Sequence, residues 1–346
     1  MKKYFILSFM VWLMLVALRG DKETLFRIPE HWPKPTYDFD KNPLTKEKIL
    51  LGRALFYDPI LSADSTISCT SCHLQYTAFT HVDHTLSHGI NGRIGTRNAP
   101  ALTNMAWGKL FMWDGAINHL DMQPLAPISN PDEMGSSIDT VLCRLRRSSI
   151  YPSLFYEAFA DSTITGEHFL KAISQFMLTI VSANAKYDQV MRKEKGIVFT
   201  AQEANGYQLF STHCAACHKE PLFTTHDFRN NGLPVDTTLN DYGRMKISQN
   251  PKDSLCFKVP SLRNIEFSYP YMHDGRFATL QQVINHYTTG IQQSATLSPL
   301  LRKPIILSAN EKVDLVAFLL TLTDRAFLFD RAYSFPKEIF IPKPKE

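Results

Sequence analysis

Two short stretches concentrate thiols and imidazoles. In "ISCTSCHLQYTAF" (67–79) and "THCAACHKEPLF" (212–223), two cysteines stand three positions apart and a histidine follows at once. Such sets can hold zinc, exchange disulfides or attach haem. Zinc could use both pairs in one tetrahedral site, but Cys72 and Cys214 are much further apart than finger or ribbon spacing. A redox C-x-x-C belongs in a thioredoxin-like βαβ setting, and strand patterns are scarce in this sequence. Haem attachment uses all three residues: the cysteines form thioethers with two vinyl groups, and the histidine faces the iron. The duplicated motif therefore predicts two covalently bound haem c groups. One is held by Cys69, Cys72 and His73, the other by Cys214, Cys217 and His218.

The elements that must carry these motifs read as helices. Ser/Thr followed three residues later by Glu/Gln is a capping box. Thr200 with Glu203, Thr279 with Gln282, and Ser308 with Glu311 each open an apolar-periodic run. "TKEKILLGRALFYD" and "EHFLKAISQFMLTIVSANAKYDQVM" carry the same helical spacing. The chain also repeats itself: "APALTNMAWGKLFMWDGAINHL" aligns without gaps on "VPSLRNIEFSYPYMHDGRFATL". Pro100/Pro260, Leu102/Leu262, Asn104/Asn264, Met112/Met272, Asp114/Asp274, Gly115/Gly275 and Leu120/Leu280 are identical. Each copy lies downstream of one C-x-x-C-H, so the sequence predicts a duplicated domain. We place the domains at 21–195 and 196–330, with a C-terminal tail at 331–346.

The whole chain sets bounds on this reading. Its 346 residues, 44% hydrophobic and 20% charged, describe a globular protein. A net charge of +4 is too small to argue for nucleic acid as a partner. Lys2 and Lys3 precede the uncharged run "YFILSFMVWLMLVAL", which is short for a membrane span. Residues 1–20 therefore read as an export signal to the periplasm, with cleavage or retention as an N-terminal membrane anchor both open. Cys143 and Cys256 read as two buried small hydrophobes, a disulfide between them being the alternative.

Together with the two motifs, "GTRNAPAL", "FMWDGAINHLDMQPLAPISNPDEM", "FKVPSLRNI" and "PYMHDGRFATLQQVI" occur in an ordered set. From about Leu44 to Leu322 the chain resembles the bacterial dihaem cytochrome c peroxidase family, which includes the MauG enzymes. The resemblance implies a mostly α fold of two cytochrome c-like haem domains, with long loops between helices. It implies that the N-terminal haem binds H2O2 and that the C-terminal haem relays electrons from a small c-type cytochrome or cupredoxin. Glu133 falls at the family's distal acid–base position, Gln123 at its hydrogen-bonding position, and Trp113 at the tryptophan between the haems. His88 lies where some members place a histidine that ligates the resting N-terminal haem. A Ca2+ between the domains would draw on Asn98 and the carbonyls of Ser268 and Pro270. The C-terminal haem departs from the best-known peroxidases, because Tyr287 stands where they place a methionine. Leu280, Val283, Ile284 and Tyr287 share a helical face, and His286 points about 100° away. Met272 competes with Tyr287 as the distal ligand. A tyrosine ligand is MauG-like and favours oxidised iron. Two alternatives stay open beside the peroxidase: a MauG-type oxidase acting on a protein or aromatic substrate, and a non-catalytic dihaem electron carrier. A homodimer is also compatible with the sequence.

Overall fold

The computed structural model describes residues 25–341, so the expected export signal lies outside the described residues. The chain is mostly helical; the one sheet among the described residues pairs Phe228–Arg229 antiparallel with Phe257–Lys258. Each half is closed by a pair of crossing helices. In the first, Lys46–Tyr57 packs on Gly166–Thr179; in the second, Ala201–His213 packs on Ala309–Leu320. The crossings are made at Gly52 and Gly206. A Cβ at either would lie 1.9 Å from a backbone oxygen, of Ala172 or of Asp314. Only glycine lets the helices approach so closely.

The expected caps form. Thr200, Thr279 and Ser308 accept from the backbone N–H three residues on, and Glu203, Gln282 and Glu311 reach back to the cap. Helical spacing through 167–191 would predict one helix, but the structure breaks it into Gly166–Thr179 and Lys186–Met191. The break is imposed from a distance. Asp324 Oδ2 accepts from the N–H groups of Ala183 (3.1 Å) and Asn184 (2.9 Å), and Asn104 Oδ1 accepts from that of Ser182 (3.0 Å). Those donors would otherwise extend the helix.

The internal repeat is also a structural one. Asn104 and Asn264 take φ of 60° and 58°, and Met112 and Met272 take 68° and 76°. The bridge Phe111↔Ile117 recurs as Tyr271↔Phe277. Asn104 N–H donates to Ile180 O at 2.8 Å, as Asn264 N–H does to Leu322 O at 3.0 Å. Two cores result: Leu51, Phe56, Phe79, Phe155 and Phe176 lie in one, and Tyr187, Phe210, Phe223 and Phe318 in the other. Fully burying one such phenylalanine is worth about 1.5–3 kcal/mol.

The chain then returns to its start. Phe327 and Leu328 join the first core, and Tyr333, Ile339 and Phe340 pack against it. Tyr333 donates to Thr179 O at 2.8 Å and its own carbonyl accepts from Tyr57 at 2.7 Å. One cysteine expectation is corrected here: Cys143 is exposed, on the solvent side of helix Ile138–Arg147, while Cys256 is buried; both are free thiols.

Candidate dihaem site

Each C-x-x-C-H turn is tightly wound. His73 N–H donates to Cys69 O at 2.9 Å, and His218 N–H to Cys214 O at the same distance. The imidazoles are oriented through one nitrogen. His73 Nδ1 lies 2.8 Å from Phe79 O, while His218 Nδ1 lies 3.2 Å from Phe223 O and 3.1 Å from Pro260 O. A carbonyl can only accept, so Nδ1 carries the proton and Nε2 presents a lone pair, as an iron ligand requires. Burial pushes both histidines toward the neutral form, His73 down to about 4.

The thiols fit the same group. Burial pushes Cys69 and Cys214 up to about 12 and raises Cys72 and Cys217 as well. Cys214 caps the C-terminus of its helix, where the dipole disfavours an anion. Redox and zinc cysteines need the opposite, a stabilised thiolate. Among the described residues no three His, Cys, Asp or Glu side chains are grouped to hold a metal ion, so the two motifs do not converge on one zinc site. Protonated thiols, with a neutral imidazole aimed by a carbonyl, suit covalent haem.

Around the first motif the structure places Glu133 and His88 beside Cys72. Glu133 is close enough to Cys72 to raise its pKa electrostatically, and its carbonyl accepts from Ile90 N–H at 2.8 Å. Burial pushes the Glu133 carboxyl up, opposed by the 2.8 Å hydrogen bond from Asn130 Nδ2. Gln123 Nε2 meets Met112 Sδ at 3.6 Å. His88 is adjacent, its carbonyl 3.5 Å from Cys72 Sγ, but its ring packs on His84 with centroids 3.9 Å apart.

Around the second motif, Tyr287 lies in a π-helical turn, His286–Gly290, a deformation frequent at functional sites. Its pKa is pushed up to about 12, mostly by burial, with Cys214 and Cys217 adding to the rise. Asn231, which the sequence reading missed, organises this side. Its Nδ2 lies 3.4 Å from Tyr287 Oη and 3.5 Å from Met272 Sδ, and its carbonyl lies 3.1 Å from His286 Nε2. The two competing ligands therefore share one amide. Asn231 and Gln123 play matching parts in the two halves, each touching the duplicated methionine.

Trp113 ties the halves together. Its indole N–H donates to Asn98 O at 2.8 Å, Asn98 N–H to His273 O at 2.7 Å, and Lys258 N–H to Trp113 O at 2.7 Å. Arg97 clamps the same junction, bonding Asp241 through Nε (2.6 Å) and Asp114 through a terminal nitrogen (2.6 Å). The two carboxylates hold its guanidinium charged, against the cost of burial. Asn98 Nδ2 donates to Thr85 O at 3.0 Å, so its Oδ1 is the atom these bonds leave for another donor or a cation.

Comparison with known proteins matches both halves of the chain. A family model described as di-haem cytochrome c peroxidase matches residues 46–196, and a cytochrome c model matches 203–323. The methylamine utilization protein MauG of Methylorubrum extorquens is 37% identical over 308 residues, covering 86% of this chain and 83% of the relative. Cytochrome c551 peroxidase of Nitrosomonas europaea is 35% identical over 277 residues, 79% of each chain. Among solved structures, a MauG-like protein associated with microbial copper homeostasis superposes with a TM-score of 0.81 at 34% identity, covering 90% of this chain and 99% of that one.

Proposed function

Because the chain belongs to the dihaem cytochrome c peroxidase family, of which MauG is also a member, we propose that it reduces H2O2 to water in the periplasm with electrons from a small c-type cytochrome or cupredoxin. The observation that carries this reading is Glu133, a desolvated carboxyl beside the first attachment motif. An electron carrier has no use for a proton acceptor there. Haem, when bound, supplies the redox-active iron; Cys69, Cys72 and His73 hold one group, and Cys214, Cys217 and His218 the other. Glu133 takes the proton from the inner peroxide oxygen and returns it to the outer one, which leaves as water. Gln123 orients the peroxide through its amide. Trp113, hydrogen-bonded into both halves, is the electron relay between them. His88 is the candidate for a displaceable resting ligand on the N-terminal side. Ca2+, which prefers oxygen donors, would be held by Asn98 Oδ1 and the carbonyls of Ser268 and Pro270.

Haem loading tests the premise. Denatured holoprotein should retain two haems by mass and pyridine haemochrome, and Cys214→Ala/Cys217→Ala should retain one. Protein matured with haem available that carries zinc at both motifs instead would refute it.

The second reading, a MauG-type oxidase, rests on Tyr287. As the distal ligand of the C-terminal haem, Tyr287 would favour the oxidised state. Tyr287→Phe should then change the absorption spectrum of that haem and leave the other intact. A spectrum altered by Met272→Leu but not by Tyr287→Phe would assign the ligand to Met272.

A further inference from the structure

The two attachment motifs share a feature that attachment does not use. A second histidine follows each motif histidine at the same spacing, His81 after His73 and His226 after His218. Each has a buried ring nitrogen without a hydrogen-bond partner among the described residues, Nδ1 in His81 and Nε2 in His226. Buried polar groups are as a rule partnered, so such a nitrogen points to a ligand.

At His226 the surroundings say which kind. The peptide N–H of Val259 donates to Asp227 O at 2.8 Å, and Phe228 pairs with Lys258 in the small sheet. Lys258 is thereby brought beside His226. Burial drives the Lys258 ammonium down to about 8 and His226 down to about 4, and Lys258 and Lys109 depress His226 further. The acids that oppose these shifts are already engaged. Asp114 pairs with Arg97 at 2.6 Å and Asp227 with Arg229 at 3.0 Å. Among the described residues Lys258 Nζ keeps only a 3.3 Å hydrogen bond to Leu110 O. Two basic groups desolvated side by side, with both nearby carboxylates spoken for, call for an anion. The site is also close to the haem elements: Thr225 N–H donates to Cys217 O at 3.0 Å, and Lys258 N–H donates to Trp113 O.

We infer that Lys258 and His226 form a carboxylate-binding pair that grips a propionate side chain of the haem attached at Cys214 and Cys217. The inference rests on the dihaem reading. A charge-assisted hydrogen bond from Lys258 would fix the propionate and neutralise it. Positive charge near the iron also favours its reduced form, so the pair would raise the reduction potential of the C-terminal haem.

Redox titration and resonance Raman spectroscopy of the holoprotein test this, with mass spectrometry counting the haems. Lys258→Gln should lower the potential of one haem and shift one propionate bending band, with both thioether-bound haems retained. Lys258→Arg should return both signals toward wild type, and His226→Asn should shift them in the same direction by less. If Lys258→Gln fails to load, His226→Asn alone decides. Wild-type potentials and bands in the loaded variants would overturn the inference, as would equal shifts in Lys258→Arg and Lys258→Gln, since packing rather than charge would then be at work. Failure of the dihaem reading would show differently, as a wild-type protein without two haem masses.

Discussion

Replacing Glu133 with Gln should lower peroxide turnover by about 10²–10⁴-fold while both haems stay bound. The substitution preserves side-chain volume and can still accept from Asn130 Nδ2, which now bonds the carboxylate at 2.8 Å. It removes only the ability to take up and return a proton. Both roles matter, because the inner peroxide oxygen must lose its proton and the outer one must gain it before it can leave. Wild-type turnover should also show an acid limb. Burial raises the Glu133 pKa, so the carboxylate that acts as base is lost at a higher pH than for an ordinary glutamate. Turnover should fall as pH drops through that raised value, and the Gln variant should lack this limb. Stopped-flow mixing with peroxide measures both. Unchanged turnover would remove Glu133 from the cleavage step, and an unchanged acid limb would assign that titration to another group.

The largest effect on stability is expected at Arg263. It is 1% exposed, and its guanidinium bonds both Asp188 oxygens, at 2.9 and 2.7 Å, and Pro221 O at 2.6 and 2.9 Å. Trp32 stacks on it at 4.6 Å. The residue thus joins the helix Lys186–Met191, the segment after the second attachment motif, and the N-terminal stretch. Arg263→Met leaves the Asp188 carboxylate buried without its partner, which typically costs about 3–5 kcal/mol. Asp188→Leu combined with Arg263→Met removes both charges and should lose less than the sum of the single variants. Urea unfolding of the holoproteins measures this. A loss below about 1 kcal/mol in Arg263→Met would show that Asp188 finds water or another donor.

The features legible in the sequence were those whose causes are local. The C-x-x-C-H turns, the capping boxes at Thr200, Thr279 and Ser308, and each copy of the gapless repeat lie within a short window, and each appears in three dimensions. What was hidden depends on partners distant in the chain. The helix break before Lys186 is set by Asp324 and Asn104, which no periodicity over 167–191 can report. Asn231 stands far from Met272 and Tyr287 in sequence, yet its amide meets both. The clamp from Arg97 to Asp241 crosses between the halves, and the return of Phe327 and Leu328 to the first core breaks the strict order of the repeat. Cys143 was misplaced because the helix Ile138–Arg147 buries Val141, Leu142 and Leu145 and turns the cysteine to solvent.

The central claim is that this chain couples peroxide reduction to an external electron donor. Steady-state oxidation of a reduced c-type cytochrome by H2O2, with peroxide and donor followed together, tests it most directly. The account predicts two donor molecules oxidised for each peroxide consumed, and loss of that coupled turnover in Glu133→Gln. Peroxide consumption with no donor oxidised, accompanied by covalent change in an added protein or aromatic substrate, would contradict it and favour the MauG-type oxidase.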